Sequence, residues 1–299
     1  MNELLQQCPL CQAKRFEFFK EVPDYFLSKE NFQLVKCVHC GLVFIQNRPD
    51  KSSIGAYYES EEYISHTDSH KNLFALVYQI VRRWNVAKKY RMIKRYISQG
   101  SILDIGCGTG DFLNYFFRKK WNVAGIEPSN SAREIANKKN NHQIFEEEKL
   151  NHFADGAFDV ISMWHSLEHV HDLNERLSAV HRLLKDDGVF VFSVPIYESW
   201  DATHYDSFWA AWDVPRHLYH FSQATIKTLM DRNNFHLLKT IPLPFDSYYI
   251  SLLSEGYKTK RGSLLRVFLN GFVSNLNARL KTKNFSSLIF IAQKSKEQL

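Results

Sequence analysis

The chain has no run of eighteen apolar residues, so no segment of it is expected to cross a membrane as a helix. Its first residues, MNELLQQCPLC, lack both a basic start and an apolar stretch; no signal peptide is expected, and the predicted location is the cytoplasm. It has no internal repeat and no low-complexity tract, and hydrophobic residues make up 44%, which argues against disorder. Cysteine is scarce, five in 299 residues, but four of the five are paired in spacing.

Those four are Cys8 and Cys11 in CPLC, and Cys37 and Cys40 in CVHC. Two residues between sulfurs let a tight turn aim both thiolates at one metal, and two such turns complete a tetrahedral four-thiolate zinc site. The 25 residues between the pairs leave room for a β-hairpin, with NFQLVKC and GLVFI as flanking strands. Gly41 stands where the second turn calls for a positive φ. Disulfides do not suit a chain with no sign of secretion, and a redox pair lacks a surrounding βαβ unit. His39 could replace a thiolate, but the neat pairing argues against it. The expectation is a structural zinc ribbon over residues 1–50, closed and without chemistry of its own.

The length suits one α/β domain plus that smaller unit. Net charge is +6, much of it late in Lys258, Lys260, Arg261, Arg266, Arg279, Lys281 and Lys283, as either a solvated basic face or a phosphate- or membrane-facing surface. Aromatics reach 14% and concentrate at 57–63, 197–221 and 245–257. Residues 51–98 read as a helical linker or cap, with Leu73, Leu76, Val77, Ile80, Val81 and Trp84 at helical spacing. From residue 99 to 299 short apolar strands alternate with helices, which predicts a doubly wound, Rossmann-like α/β sheet. An aromatic insert at 197–221 and a helical insert at 242–285 interrupt it, and SLIFIAQK is expected as an antiparallel last strand.

LDIGCGTGDF follows a strand and opens a helix. The dinucleotide pattern G-x-G-x-x-G fails here, because its third glycine would fall on Asp111 or Leu113. The pattern is D-x-G-x-G-x-G, from Asp104, Gly106, Gly108 and Gly110. An acid beside the loop repels a pyrophosphate but suits a ligand carrying an amino group and a sulfonium. Glu127 ends the next strand, 21 residues after Gly106, where a carboxylate can take both ribose hydroxyls.

With ILDIGCGTGDF, GIEPS and FDVISMWHSLEHVHD, the chain resembles class I S-adenosylmethionine-dependent methyltransferases over roughly residues 85–245 plus the final strand. The resemblance implies a seven-stranded sheet with its last strand reversed. It also implies that Asp104, Gly106, Cys107, Gly108 and Gly110 line the methionine and ribose part of the cofactor, with Phe112, Pro128, Trp164 and His165 beside it and Glu127 on the ribose. The paired cysteines together with WDVPRHLYHFS are similar to bacterial methyltransferases of sugar and envelope biosynthesis, although the long C-terminal domain of the sugar C-methyltransferases is missing.

His165, Glu168 and His169 spell H-x-x-E-H, a zinc-peptidase pattern that must lie along a continuous helix. Here DLNE reads as a helix start, with Asp172 as N-cap and Glu175 three residues on. The three residues therefore precede that helix, at the carboxyl end of a strand, where α/β sheets bind ligands. Methyl transfer to a hydroxyl or amine requires loss of a proton, and histidine is the natural base. His169 is the first candidate, with His165, His217, His220 and His66 behind it and Glu168 as an orienting group. The alternative for the same residues is a divalent metal held by His165, Glu168 and His169 with His217 or His220. Residues 197–221, with Trp200, Tyr205, Trp209, Trp212, Asp213, Arg216 and Tyr219, are read either as an acceptor lid or as an aromatic plug. The expected activity is methyl transfer from S-adenosylmethionine to a small-molecule, sugar or envelope-precursor acceptor, with peripheral membrane contact through the second insert. The runner-up is an RNA methyltransferase that uses the ribbon to recognise its substrate; a protein that only binds a partner is the third reading.

Overall fold

The computed structural model describes residues 2–58, 84–259 and 263–295. Five strands come first: β1 (Asn2–Leu4), β2 (Phe16–Pro23), β3 (Asn31–Cys37), β4 (Val43–Ile45) and β5 (Asn47–Pro49). Helix α1 covers 84–93. The alternating part then runs β6 (Ser101–Ile105), α2 (Asp111–Arg118), β7 (Asn122–Ile126), α3 (Asn130–Lys139), β8 (Ile144–Phe145), β9 (Phe158–Trp164), α4 (Leu173–Leu183) and β10 (Leu184–Pro195). It continues with α5 (Trp200–Tyr205), β11 (Tyr219–His220), α6 (Gln223–Arg232), β12 (Phe235–Pro242), α7 (Asp246–Thr259), α8 (Leu264–Asn277) and β13 (Ser287–Lys294). Of the expected helical segment 51–98, residues 54–58 form a 3-10 turn, and Leu73, Leu76, Val77, Ile80 and Val81 lie outside the described residues.

Seven strands form one sheet in the order β12-β13-β10-β9-β6-β7-β8. Only β13 runs against its neighbours, pairing antiparallel with β10 and β12, as expected for the last strand. The central strands are largely apolar because helices cover both faces of the sheet. Chain order reverses between β6 and β9, and at such a point the loops after the two strands diverge and leave a crevice. Asp104 sits at this point, opposite Gly125 of β7 and Ser162 of β9.

The N-terminal segment is not a free-standing bead. Its sheet has the order β11-β4-β3-β2, so the aromatic insert supplies a strand to it, with Phe44 opposite Tyr219 and Val43 opposite His220. An uncovered edge on β4 would leave a row of unpaired backbone groups, and β11 takes them. Ion pairs on buried arginines reinforce the seam. Arg216, 1% exposed, donates to Asp24 and Asp213 at 2.8 Å each, while Arg48 donates to Glu3, the Tyr219 hydroxyl and the His171 carbonyl.

The insert at 197–221 is a plug. Tyr205, Trp209 and Trp212 are buried, and their polar atoms are satisfied inside: Trp209 donates to Asp201 at 2.8 Å and Trp212 to the Asp206 carbonyl at 2.7 Å. Asp201 in turn accepts from Ser274 and Ser286, tying the plug to the second insert. The lid reading of these rings therefore fails: they are core, not an open wall. Helices α7 and α8 pack on each other at Gly271, where a Cβ would stand 2.5 Å from the Tyr248 ring.

Candidate functional site

Strand β6 ends in Asp104-Ile105, and the chain then turns through Gly106, Gly108 and Gly110, all at positive φ (77°, 53° and 74°). Each glycine answers a different demand. A Cβ on Gly106 would meet Ser166 at 2.7 Å, and one on Gly110 would meet Asn140 at 2.4 Å, so these two let neighbouring segments close in. A Cβ on Gly108 would meet nothing within 4 Å; this is the open face of the loop. Its amide donates to Glu127 at 2.7 Å, and Glu127 also accepts from the Ser129 amide at 2.9 Å. Burial raises the proton affinity of Glu127, against those two donors. Burial likewise pushes Asp104 up to about 7, although Ser162 donates to it at 2.6 Å. Cys107 sits within this loop, Pro128 follows Glu127 in the chain, and Phe112 packs edge-on against Trp164 with ring centroids 5.3 Å apart.

Two groups near this loop carry no sequence signal. Lys89, on α1, lies over the Trp164 ring with its ammonium 3.6 Å from the centroid, and burial lowers its proton affinity to about 8. Asp246, at the start of α7, reaches His165 at 3.1 Å. Both come from segments remote in the chain, and a lone lysine or aspartate on a helix announces nothing.

After β9 the chain makes a turn held by Ser166, which donates to the Ile105 carbonyl at 2.8 Å and so docks it on the glycine loop. His165 takes φ 50°, and Leu167–His169 form one 3-10 turn rather than part of a helix, which removes the peptidase geometry. Asp172 occupies the N-cap of α4, but its side chain makes no cap bond and pairs with Lys51 instead. Glu168 is fully buried, 3.5 Å from His165 and 3.9 Å from His217. Burial would raise its proton affinity, yet His165 and the other two imidazoles hold it below the usual range. For His165 burial acts downward, but the hydrogen bonds and charges of Asp246 and Glu168 together outweigh it and lift the ring to about 9. Burial lowers His169 to about 4, so it is neutral at pH 7. His169 packs edge-on against His217 at 4.6 Å, with the Tyr58 hydroxyl 2.8 Å from its Nδ1.

One donor atom from each of Glu168, His169 and His217 lies within 4.8 Å of the other two. His165, engaged by Asp246, is not in that group, nor is His220, which is buried against Trp212. His66 lies outside the described residues. His217 arrives on the aromatic insert, whose Leu218 amide donates to the Glu168 carbonyl at 2.8 Å.

The second metal-capable group is Cys8, Cys11, Cys37 and Cys40, with Cys8–Cys40 and Cys11–Cys37 sulfurs 3.5 Å apart. The two turns are built alike. In each, the amide four residues after the first cysteine donates to that cysteine's carbonyl at 2.9 Å, and the donor residue, Gln12 or Gly41, has positive φ. The Cys40 hydrogen bond lowers the Cys8 thiol to about 5. Four sulfurs in one shell are a donor set for zinc.

The family model described as a methyltransferase domain matches residues 79–240, more than half of the chain. An uncharacterized protein of Methanocaldococcus jannaschii is 36% identical over 115 residues, 36% of this chain and 44% of that protein. A demethylmenaquinone methyltransferase of Staphylococcus epidermidis is 30% identical over 115 residues, 36% of this chain and 48% of that protein. The matched stretch thus spans a little under half the length of these relatives. Among solved structures, a geranyl diphosphate C-methyltransferase of Streptomyces coelicolor, in complex with Mg2+, geranyl diphosphate and S-adenosyl-L-homocysteine, aligns with TM-score 0.53 and 15% identity, covering 76% of this chain and 86% of that one. A putative sarcosine dimethylglycine methyltransferase of Galdieria sulphuraria aligns with TM-score 0.50 and 16% identity, covering 73% and 86%. At such identities the likeness is one of fold.

Proposed function

We propose, from the premise that this chain belongs to the methyltransferase domain family, that it transfers the methyl group of S-adenosylmethionine to a small-molecule, sugar or envelope-precursor acceptor. One observation carries this reading. The loop from Asp104 to Gly110 and the carboxylate of Glu127 form a cradle, and the turn that Ser166 docks there carries Glu168 and His169, which His217 joins from the aromatic insert. In the cradle, Asp104 meets the cofactor's amino group, Glu127 meets the ribose hydroxyls, and the open face of Gly108 admits the ligand to the backbone. Cys107, Phe112, Pro128, Trp164 and His165 supply its remaining walls. A zinc ion on Cys8, Cys11, Cys37 and Cys40 is structural: all four positions are filled by protein.

The proton of a hydroxyl or amine acceptor leaves with help from the histidine group. A base works best with a pKa near the working pH. His165, at about 9, is already protonated at neutral pH, while His169, at about 4, is neutral and a weak proton acceptor. The group is therefore better suited to holding the acceptor's reactive atom than to pulling its proton away unaided. Replacing His169 by Ala should lower turnover on the order of 10²-fold and leave S-adenosylhomocysteine affinity within about twofold, because the cofactor cradle lacks that residue. Equal losses in both would show that His169 only supports the fold.

The surface has a second feature. Helix α8 and the turn after it expose Leu264, Leu265, Phe268, Leu269, Phe272 and Leu280. Arg266, Arg279, Lys281 and Lys283 lie among them, and no acidic residue occurs between Glu255 and Glu297. An apolar face within an all-basic stretch suits the surface of an anionic bilayer. We assign α8 to that contact, which would present an amphiphilic acceptor to the enzyme.

A further inference from the structure

We propose that Glu168, His169 and His217 bind one divalent cation, and that an oxygen of the acceptor completes its coordination. This rests on the methyl-transfer reading and says how the acceptor is held.

Neither carboxylate oxygen of Glu168 has a hydrogen-bond partner among the described residues, and the side chain is wholly buried. His165, 3.5 Å away, lends a positive charge but shares it with Asp246 at 3.1 Å, so a bound cation would complete the compensation of a carboxylate that is costly to bury. Two further imidazoles, His169 and His217, stand with it. His217 donates its Nδ1–H to the Ala211 carbonyl at 2.8 Å, which in the neutral ring puts the lone pair on Nε2, 3.9 Å from Glu168 and 3.8 Å from Asp213. Anchoring one imidazole nitrogen on a carbonyl is how metal-binding histidines are commonly oriented. His169 is held from outside by the Tyr58 hydroxyl.

The spacing fits. Two ligands of one ion, each about 2.0–2.2 Å from it, stand roughly 3–3.5 Å apart. The three donors, all within 4.8 Å of one another, close on an ion by shifts of about an ångström or less. Two imidazoles and one carboxylate favour a transition ion such as Zn2+, Fe2+, Co2+ or Mn2+ over Ca2+ or Mg2+. Unlike the four-thiolate group, this set leaves positions open. An acceptor hydroxyl bound there would release its proton to water more readily than in solution. Its oxygen would then take the methyl carbon as the carbon–sulfur electron pair returns to sulfur, leaving S-adenosylhomocysteine.

The test uses the full chain with zinc retained on its cysteines, titrated with Co2+ and followed by visible absorption. The expected result is one further Co2+ per chain with a nitrogen- and oxygen-ligand spectrum and no added thiolate charge-transfer band. Glu168→Gln and His217→Gln should each weaken that binding at least about 10–100-fold, the loss known even for outer-shell changes. Circular dichroism melts identify a variant that fails to fold, and the other variant then decides. The proposal is overturned if zinc-loaded wild type takes up no Co2+ at millimolar concentration, or if both folded variants bind it as wild type does. S-adenosylhomocysteine calorimetry on the same sample separates the two readings. Cofactor binding without Co2+ uptake sinks the ion and leaves methyl transfer standing; Co2+ uptake lost in the variants, without cofactor binding, supports the ion and sinks methyl transfer.

Discussion

Asp104 and Glu127 were both legible as an acid before the glycines and an acid at the next strand end. What the sequence could not show is that burial holds Asp104 half-protonated near neutrality. Its folded-state pKa, about 7, lies above the unfolded value, so the folded chain binds the extra proton and ionising Asp104 costs stability as pH rises from about 4 through 7. A cationic cofactor needs the ionised form. Affinity for S-adenosylmethionine should therefore rise about tenfold between pH 6 and pH 8, following the ionised fraction. Asp104→Asn should bind more weakly and lose that rise; a titration series by calorimetry in which wild type shows no pH dependence would contradict this. Lys89, Asp246 and Tyr58 were not legible, because each becomes relevant only when folding brings its segment to the β9 turn.

At the scale of elements, the doubly wound sheet and its reversed last strand followed from alternation of apolar strands with helices, and from the glycine loop between β6 and α2. The two cysteine turns followed from spacing, and Gly41 from its φ requirement; Gln12, with the same backbone conformation, did not, since glutamine gives no hint of a positive φ. The pairing of β11 with β4 was hidden because a two-residue strand has no period to read. That pairing ties the cysteine turns to the segment that carries His217. β4 follows the second turn, and β11 carries the chain from His217 into the same sheet. Cys37→Ser should release the metal, cost several kcal/mol of stability, and reduce turnover as His217 loses its support. Elemental analysis and urea unfolding check it; zinc content and midpoint both unchanged would refute the structural role.

At the scale of the molecule, the aromatic insert, the N-terminal sheet and the core form one continuous packing, with Arg216 and Arg48 buried across the seams. The face of α8 is the apolar exception, and no helix among the described residues is long and apolar enough to cross a membrane. The expected outcome is surface attachment: the protein should float with phosphatidylglycerol vesicles at low salt and not with phosphatidylcholine alone. Phe268→Ser combined with Phe272→Ser should abolish flotation while leaving cofactor affinity unchanged. Persistence of binding in that variant, or a wild-type dimer in sedimentation that the variant loses without any vesicle binding, would reassign the face. The central claim, that the loop from Asp104 to Gly110 with Glu127 is a cofactor cradle, is tested most directly by calorimetric titration of the wild type and Glu127→Ala with S-adenosylhomocysteine. The account requires one molecule bound per wild-type chain, weakened by roughly 1.5–3 kcal/mol in the variant, and no heat from nicotinamide dinucleotides; an absence of wild-type binding, or equal binding by both proteins, would contradict it.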